Sequence, residues 1–211
     1  MRVHFGRVLA SAVLLGTLAA FPGAGPARAE DPAGSARRVV EETVTELLEI
    51  LAQKDWAVEK RVSEIEALAY RRFDFETISR LVLARAYRKF SEEQRVEFVE
   101  QFKLHLSRSY GNRVDRYDQQ TVRFLGERVE KRGDVTVRTR IVGGQADGID
   151  MDYRLRERDG DWLVIDVVIE GVSLVANYRS QFKELMSQRG PAGLIEQLRE
   201  KNRSRDSSGA G

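Results

Sequence analysis

The chain has 211 residues, with 35 lysines and arginines against 33 aspartates and glutamates, 42% hydrophobic residues and no cysteine. This composition is typical of one globular domain, and it excludes a disulfide framework, a thiol nucleophile and a zinc site built on thiolates. The two histidines, His4 and His105, are too far apart in the sequence to start a metal cluster.

The first 29 residues have the pattern of a secretory signal peptide. Basic residues precede an apolar run of 13 residues from Val8 to Ala20, and the segment ends in the small-x-small site Ala27-Arg28-Ala29. This run is shorter than the roughly 20 residues that a membrane-spanning helix needs. Cleavage after Ala29 removes three arginines and no acidic residue, which leaves 32 basic and 33 acidic residues and a net charge of −1. Such a chain offers no electrostatic footprint for nucleic acid, and a cysteine-free exported protein suits a bacterial periplasm.

The first half of the remaining chain is predicted to be helical. Apolar residues recur at helical spacing from Ser35 to about Lys54 and again from Val62 to Ala69, which predicts two amphipathic helices. Asp74 is placed to cap a third helix that continues to Leu83.

A long fourth helix is predicted to begin at Ser91-Glu92-Glu93-Gln94, which has the form of a capping box. In this motif the serine hydroxyl and the glutamine amide oxygen each accept a hydrogen bond from a free backbone N–H at the helix start. The apolar residues that follow fall mostly three or four apart and define one broad face. They are Phe98, Val99, Phe102, Leu106, Tyr110, Val114 and Tyr117.

The apolar period then changes from about 3.6 to about 2, which predicts antiparallel strands. Glycine-containing pairs at Gly143-Gly144, Asp147-Gly148 and Asp159-Gly160 mark the turns. The last strand is apolar except for Asp166, so we expect both of its faces to be covered. The four predicted strands span Thr121–Glu130, Val135–Ile141, Ile149–Leu155 and Trp162–Ile169.

The C-terminal segment returns to helix from Leu174 to Met186, breaks at Gly190-Pro191 and ends in a short helix around Leu194. Residues 203–211 are rich in serine and glycine, which predicts a disordered tail and leaves residues 30–202 as the domain. The fold class is therefore α+β, with helices packed on one face of a curved antiparallel sheet.

Two stretches are more specific than this periodicity. The first is FDFETISRLVLAR at residues 73–85 with SEEQRVEF at residues 91–98, and the second is DYRL at residues 152–155 with Trp162 and DVVIEGVSLVANYRSQF at residues 166–182. Together they resemble the MlaC family, also called the toluene-tolerance auxiliary family, of periplasmic phospholipid-binding proteins. The resemblance runs from about Val39 to Asn202. It departs at Ala84, where many members have glycine, and in a basic tail.

The resemblance implies a cone-like fold related to nuclear transport factor two, in which helices and a curved sheet enclose an apolar pocket for acyl chains. It implies an auxiliary component of an ABC transporter in the Mla pathway, which maintains outer-membrane lipid asymmetry. The implied partners are phospholipid, an outer-membrane lipoprotein–porin complex and an inner-membrane ABC transporter with an MCE-domain subunit. Related members accompany hopanoid genes, so a different membrane lipid such as a hopanoid is an alternative cargo. The resemblance implies neither catalysis nor a cofactor.

On this basis the pocket is predicted to be lined by the fourth helix and the inward face of the sheet, with three residues closing its mouth. An apolar stripe at helical spacing is more often packed core, which leaves a periplasmic adaptor without a ligand as a further alternative, and the sheet residues are assigned by alternation alone. The helix residues are Val99, Phe102, Leu106 and Tyr110; the sheet residues are Val137, Ile141, Ile149, Met151, Tyr153, Val164 and Val168; the mouth residues are Leu174, Val175 and Tyr178.

Asp166 admits two interpretations, because it is an acid within an apolar strand. As part of a small cone-fold enzyme it would be a general base, with Tyr153 or Tyr178 donating a hydrogen bond to a developing oxyanion. As a structural residue it would pair with an arginine or with backbone N–H groups, as buried acids usually do.

The signal peptide generates a prediction about the exported protein. We expect material recovered from the periplasm to begin at Glu30, because the small-x-small site ends at Ala29. N-terminal sequencing checks this, and an intact Met1 on periplasmic protein would contradict it.

Overall fold

The computed structural model of the chain describes residues 31–110 and 119–208, and for Tyr110 and residues 205–208 it describes the backbone alone. The predicted signal peptide and the predicted helix positions Val114 and Tyr117 lie outside these residues. None of the described helices combines the length and the apolar character that crossing a membrane requires.

The predicted helices of the first half are present. They are α1 Pro32–Ala52, α2 Val58–Arg72, α3 Phe75–Leu83 and α4 Glu92–Tyr110, and a 3-10 helix, Ala84–Lys89, lies between α3 and α4. α1 begins before the predicted Ser35 because Asp31 caps it. The Asp31 carboxylate accepts a hydrogen bond from the Ala33 N–H, and Pro32 occupies the first turn, where a missing N–H costs nothing.

Two predicted helix starts are confirmed by their caps. Asp74 accepts hydrogen bonds from the Thr77 N–H at 2.8 Å and from the Arg158 guanidinium at 3.2 Å. Burial alone would raise the pKa of Asp74, but these hydrogen bonds and the arginine charge outweigh burial and hold the pKa below its ordinary value. The Ser91 hydroxyl accepts from the Gln94 N–H at 3.2 Å, and the Gln94 side chain accepts from the Ser91 N–H at 3.1 Å, which completes the capping box.

The strands form one antiparallel sheet in the order β1-β2-β3-β4-β5, which confirms the predicted meander and adds a strand to it. The added strand, β5, has two residues that pair with the end of β4, and it is too short for any periodicity to predict. The strands are β1 Thr121–Val129, β2 Val135–Val142, β3 Asp150–Arg158, β4 Asp161–Ile169 and β5 Val172–Ser173.

β1, at one end of the sheet, is irregular. Its register with β2 shifts between Phe124 and Gly126, and Gly126 has a φ of 131°, so the strand contains a β-bulge. The side chains of Leu125 and Val129 are 38% and 55% exposed. β1 therefore ends the sheet with a bent strand.

The C-terminal helix α5 spans Leu174–Ser208 and is interrupted at Gly190, whose φ of 65° and ψ of −170° confirm the predicted break. The predicted disordered tail needs correction, since residues 203–208 continue the helix and residues 209–211 lie outside the described part of the chain. Two contacts stabilise this last turn. Asn202 is buried and donates to the Gln101 carbonyl at 3.0 Å, and Arg203 pairs with Glu196 at 2.9 Å.

Buried apolar residues form two separate clusters. The first joins α3, α4 and α5 around Phe98, Phe102 and Phe182, whose rings contact one another. The second joins α1 to the sheet through Val40, Val135, Val137, Leu155 and Val164. Phe73 packs against both clusters.

Ala84, which ends α3, has a φ of 49° and a ψ of −123°. L-residues with a side chain rarely adopt this conformation, whereas glycine adopts it without steric cost. A glycine at this position would therefore be unstrained, whereas this chain holds Ala84 under strain.

Replacing Ala84 by glycine should stabilise the domain by about 1 kcal/mol or more, because it removes that strain. The matched control is Ala86→Gly, two residues away in the same 3-10 helix and without a positive φ. The control should destabilise by roughly 0.5 to 1 kcal/mol through backbone entropy. Chemical denaturation measures both changes, and a loss of stability in the Ala84 variant would contradict the argument.

Candidate functional site

An apolar cavity of about 460 Å³ lies between the two buried clusters and opens to the surface. This volume falls in the range of small-molecule sites, and it is about three times that of a 150 Å³ apolar cavity that stays dry and binds benzene. Sixteen of its twenty lining residues are apolar or aromatic. They are Val44, Leu47, Leu51, Val62, Ile65, Leu68, Ala69, Phe73, Phe75, Ile78, Leu106, Met151, Tyr153, Val167, Ile169 and Leu174; the polar ones are Thr43, Glu66, Ser107 and Asp166.

Helix α2 supplies one wall of the cavity. Val62 lies three and four residues before Ile65 and Glu66, and Ala69 lies four and three residues after them, so a single helix face turns toward the cavity. α1 supplies the neighbouring wall with a similar stripe around Leu47. Sequence reasoning identified both stripes as amphipathic but assigned neither to the site. The detectable signal was an apolar face without an identified packing partner.

Four of the predicted lining residues do meet at the cavity: Leu106 from α4, Met151 and Tyr153 from β3, and Leu174 from the start of α5. On the sheet, Met151 lies opposite Ile169 and Tyr153 opposite Val167. Directly opposed residues of antiparallel strands share a face, so these two pairs form the sheet wall of the cavity.

The assignment of Val164 and Val168 to one cavity face is wrong, and a β-bulge is the reason. Leu155 pairs with Val164 and Arg154 with Asp166, which leaves Ile165 as an extra residue on β4. The bulge reverses the alternation beyond it, so Val167 lines the cavity while Val168 faces the opposite side of the sheet. Val164 remains on the inward face, but it is 2% exposed and belongs to the packed cluster with α1.

The other predicted residues whose side chains the structure describes do not line the cavity. Phe102, Val175 and Tyr178 belong to the helical cluster, and Val137 belongs to the cluster of α1 and the sheet. Ile141 and Ile149 are joined by a backbone hydrogen bond at the far end of the β2–β3 hairpin. Val99 lies on α4 away from the cavity lining, and the side chain of Tyr110 lies outside the described residues.

Asp166 is held by three donors. Its Oδ1 accepts from the Val175 N–H at 3.0 Å, and its Oδ2 accepts from the Ser173 hydroxyl at 2.6 Å and from Arg154 at 3.1 Å. The residue is 3% exposed. Both carboxylate oxygens are therefore engaged in joining β4 to β3 and to the start of α5. This arrangement matches the structural interpretation of Asp166.

The opposite face of the sheet carries a polar concavity of about 730 Å³. Its charged residues are largely paired with one another: Arg156 forms two hydrogen bonds with Asp134, at 2.7 and 2.8 Å, and Arg154 pairs with Asp166. An apolar ligand that displaced water from such ion pairs would gain no binding free energy, because it cannot replace the lost hydrogen bonds. The apolar cavity is therefore the candidate binding site.

No three His, Asp or Glu side chains come together as metal ligands within residues 31–110 and 119–208. His105 is 5% exposed and packs edge-on against Tyr178, with ring centroids 5.7 Å apart. It is therefore part of the helical packing.

Comparisons with known proteins bear on this geometry. The family model described as MlaC protein matches residues 41–200. The toluene tolerance protein ttg2D of Pseudomonas putida is 29% identical to the chain over 118 residues, which are 56% of this chain and 55% of ttg2D. The chain thus spans about half the length of this curated relative.

A solved structure resembles the fold over most of the chain. The phospholipid-binding protein of Ralstonia solanacearum, in complex with a phospholipid, superposes with a TM-score of 0.72 at 25% identity. The match covers 84% of this chain and 99% of that protein. The predicted α+β class with a curved antiparallel sheet is confirmed.

The sheet wall of the cavity generates a prediction about pH. Tyr153 donates a hydrogen bond to the Met151 sulfur at 3.0 Å, and burial raises the pKa of Tyr153 to about 12. An unfolded chain ionises its tyrosines near pH 10, about two units lower. Between about pH 10 and 12 the unfolded state has lost this proton and the folded state has kept it, so stability falls as pH rises.

We expect the free energy of unfolding to fall by about 2 kcal/mol through the ionisation of Tyr153, and this contribution should be absent from Tyr153→Phe. Denaturation at pH 9 to 12, about the range set by these pKa values, measures it. When the folded protein is titrated and tyrosinate absorbance is followed, wild type should show a transition with a midpoint near pH 12 that Tyr153→Phe lacks. If the transition that the variant lacks has its midpoint near pH 10, the burial argument is contradicted.

Proposed function

The chain belongs to the MlaC family, and from this premise we propose that it is a periplasmic lipid carrier. Its cargo is phospholipid, whose acyl chains occupy the apolar cavity between α1, α2, α4 and the sheet. The observation that carries this proposal is the cavity itself: a folded domain keeps about 460 Å³ lined mainly by hydrocarbon.

The energetics explain why lipid needs such a carrier. Each methylene that leaves water contributes about 0.8 kcal/mol, so the two acyl chains of a free phospholipid in water face a barrier of tens of kcal/mol. An apolar cavity removes most of this barrier by keeping the chains dry. Transfer between the cavity and a bilayer, which are both dry, is near balance.

Because transfer is near balance, its direction comes from partners. We propose that the chain exchanges lipid with an outer-membrane lipoprotein–porin complex and with an inner-membrane ABC transporter through its MCE-domain subunit. This shuttling serves the lipid asymmetry of the outer membrane. The sequence contains no glycine-rich phosphate loop followed by Lys-Ser/Thr, so ATP hydrolysis belongs to the transporter.

The alternatives differ in cargo and in chemistry. A hopanoid is also an apolar lipid, and the lipid extraction described below separates it from phospholipid. A cone-fold enzyme would need Asp166 as a general base, but both of its oxygens accept hydrogen bonds from Arg154, Ser173 or Val175. The carrier therefore has the stronger support, and we propose no catalytic role.

A matched pair of substitutions on β4 tests the carrier. Val167 lines the cavity, whereas Val164 is packed against α1 and the sheet. Val167→Trp should place its ring in the cavity and lower the lipid that copurifies with the protein, while the domain still folds. Val164→Trp should overpack the core and cost about 1 to 3 kcal/mol or more.

Solvent extraction followed by lipid mass spectrometry gives the lipid per protein, and thermal unfolding gives the stability. Stability is compared with delipidated wild type, because bound lipid stabilises the native state by mass action. A wild-type protein that carries no lipid, or a well-folded Val167→Trp variant that keeps its full load, would contradict the proposed site.

A further inference from the structure

The cavity carries one acidic side chain that the fold does not use. Glu66 lies on the cavity-facing stripe of α2, between Ile65 and Ala69, at a position where the pattern favours an apolar residue. No hydrogen bond or ion pair to its carboxylate occurs within the described part of the chain. A carboxylate beside apolar surface is destabilising unless water or a cation reaches it.

The other polar lining groups are satisfied within the protein. The Thr43 hydroxyl donates to the Val39 carbonyl at 2.6 Å, and the Ser107 hydroxyl lies 3.1 Å from the Tyr70 hydroxyl. Asp166 already accepts from three donors. Among the polar lining residues within positions 31–110 and 119–208, Glu66 is thus the one that remains available to a ligand.

Lys103 of the neighbouring helix contacts the same part of α2. The Lys103 ammonium of α4 lies 3.8 Å from the centre of the Tyr70 ring, which it contacts as a cation–π pair. Tyr70 is one turn after Glu66 on α2, and Lys103 is one turn before Ser107 on α4. Tyr70 also feels the charges of Glu66 and, from α4, of Glu100 and Arg108, so charged side chains of both signs meet at this junction of α2 and α4.

We propose that Glu66 makes the cavity selective for phospholipids whose headgroup carries an ammonium group, such as phosphatidylethanolamine, over those with a net negative headgroup, such as phosphatidylglycerol. This inference rests on the proposed lipid-carrier function. The headgroup ammonium lies beside Glu66 and the phosphate beside Lys103. Both classes of lipid carry a phosphate, so Lys103 attracts both, whereas Glu66 attracts only the first and repels the negative charge of the second.

The test is a competition for the delipidated protein. Vesicles contain equal amounts of phosphatidylethanolamine and phosphatidylglycerol with identical acyl chains, and the lipids bound after separation are counted by mass spectrometry. Wild type should take up about two to five times more phosphatidylethanolamine, the range of one partly exposed ion pair, and salt should reduce this ratio.

Three variants separate the roles of the charges. Glu66→Gln should bring the ratio close to one with total lipid preserved. Glu64→Gln removes the same charge from an exposed position of α2 outside the cavity lining, and it should keep the wild-type ratio. Lys103→Gln should lower total loading of both lipids and leave their ratio unchanged.

Two results would overturn the selectivity: a wild-type ratio of one, or a Glu66→Gln variant that loads lipid normally at the wild-type ratio. Failure of the carrier function looks different, because wild type would then take up neither lipid. The ratio thus tests the role of Glu66, and total loading tests the carrier.

Discussion

An open apolar cavity is a constraint on every other part of this domain. Atoms that line a void lose the contacts that a packed core provides, so neighbouring elements tend to collapse into the space. The chain resists this collapse with two packed clusters instead of one. Within the α3–α4–α5 cluster and within the α1–sheet cluster, the buried residues pack against one another, and Phe73 packs against both clusters. The cavity between them does not have to hold the domain together.

The same division explains what the sequence predicts and what it does not. Helix periodicity, strand alternation and caps such as Asp74 and Ser91 are local properties, and they identified the main helices and four of the five strands in the described part of the chain. The cavity walls were harder to identify because a stripe that faces a void has the same spacing as one that faces a core. The prediction therefore favoured α4, whose Phe102 is packed core, over α2, whose Ile65 lines the cavity.

The bulge on β4 shows a second limit of local reasoning. Alternation placed Val164 and Val168 on one face, but the extra residue at Ile165 puts Val167 and Ile169 on the face of Val164 and moves Val168 to the other face. The same bulge brings Asp166 opposite Arg154 and within reach of Ser173 and Val175. A single unpaired residue thus sets both the sheet wall of the cavity and the hydrogen bonds that join the sheet to α5.

The bend in β1 has a consequence for molecules that meet at high concentration. A straight terminal strand presents regularly spaced N–H and C=O groups, which a strand of another copy can extend into a continuous intermolecular sheet. In β1 the bulge before Gly126 breaks this spacing. A second β1 therefore cannot continue the ladder in one register along the whole strand. The exposed Leu125 and Val129 therefore lie on a strand whose backbone is a poor template for an intermolecular sheet.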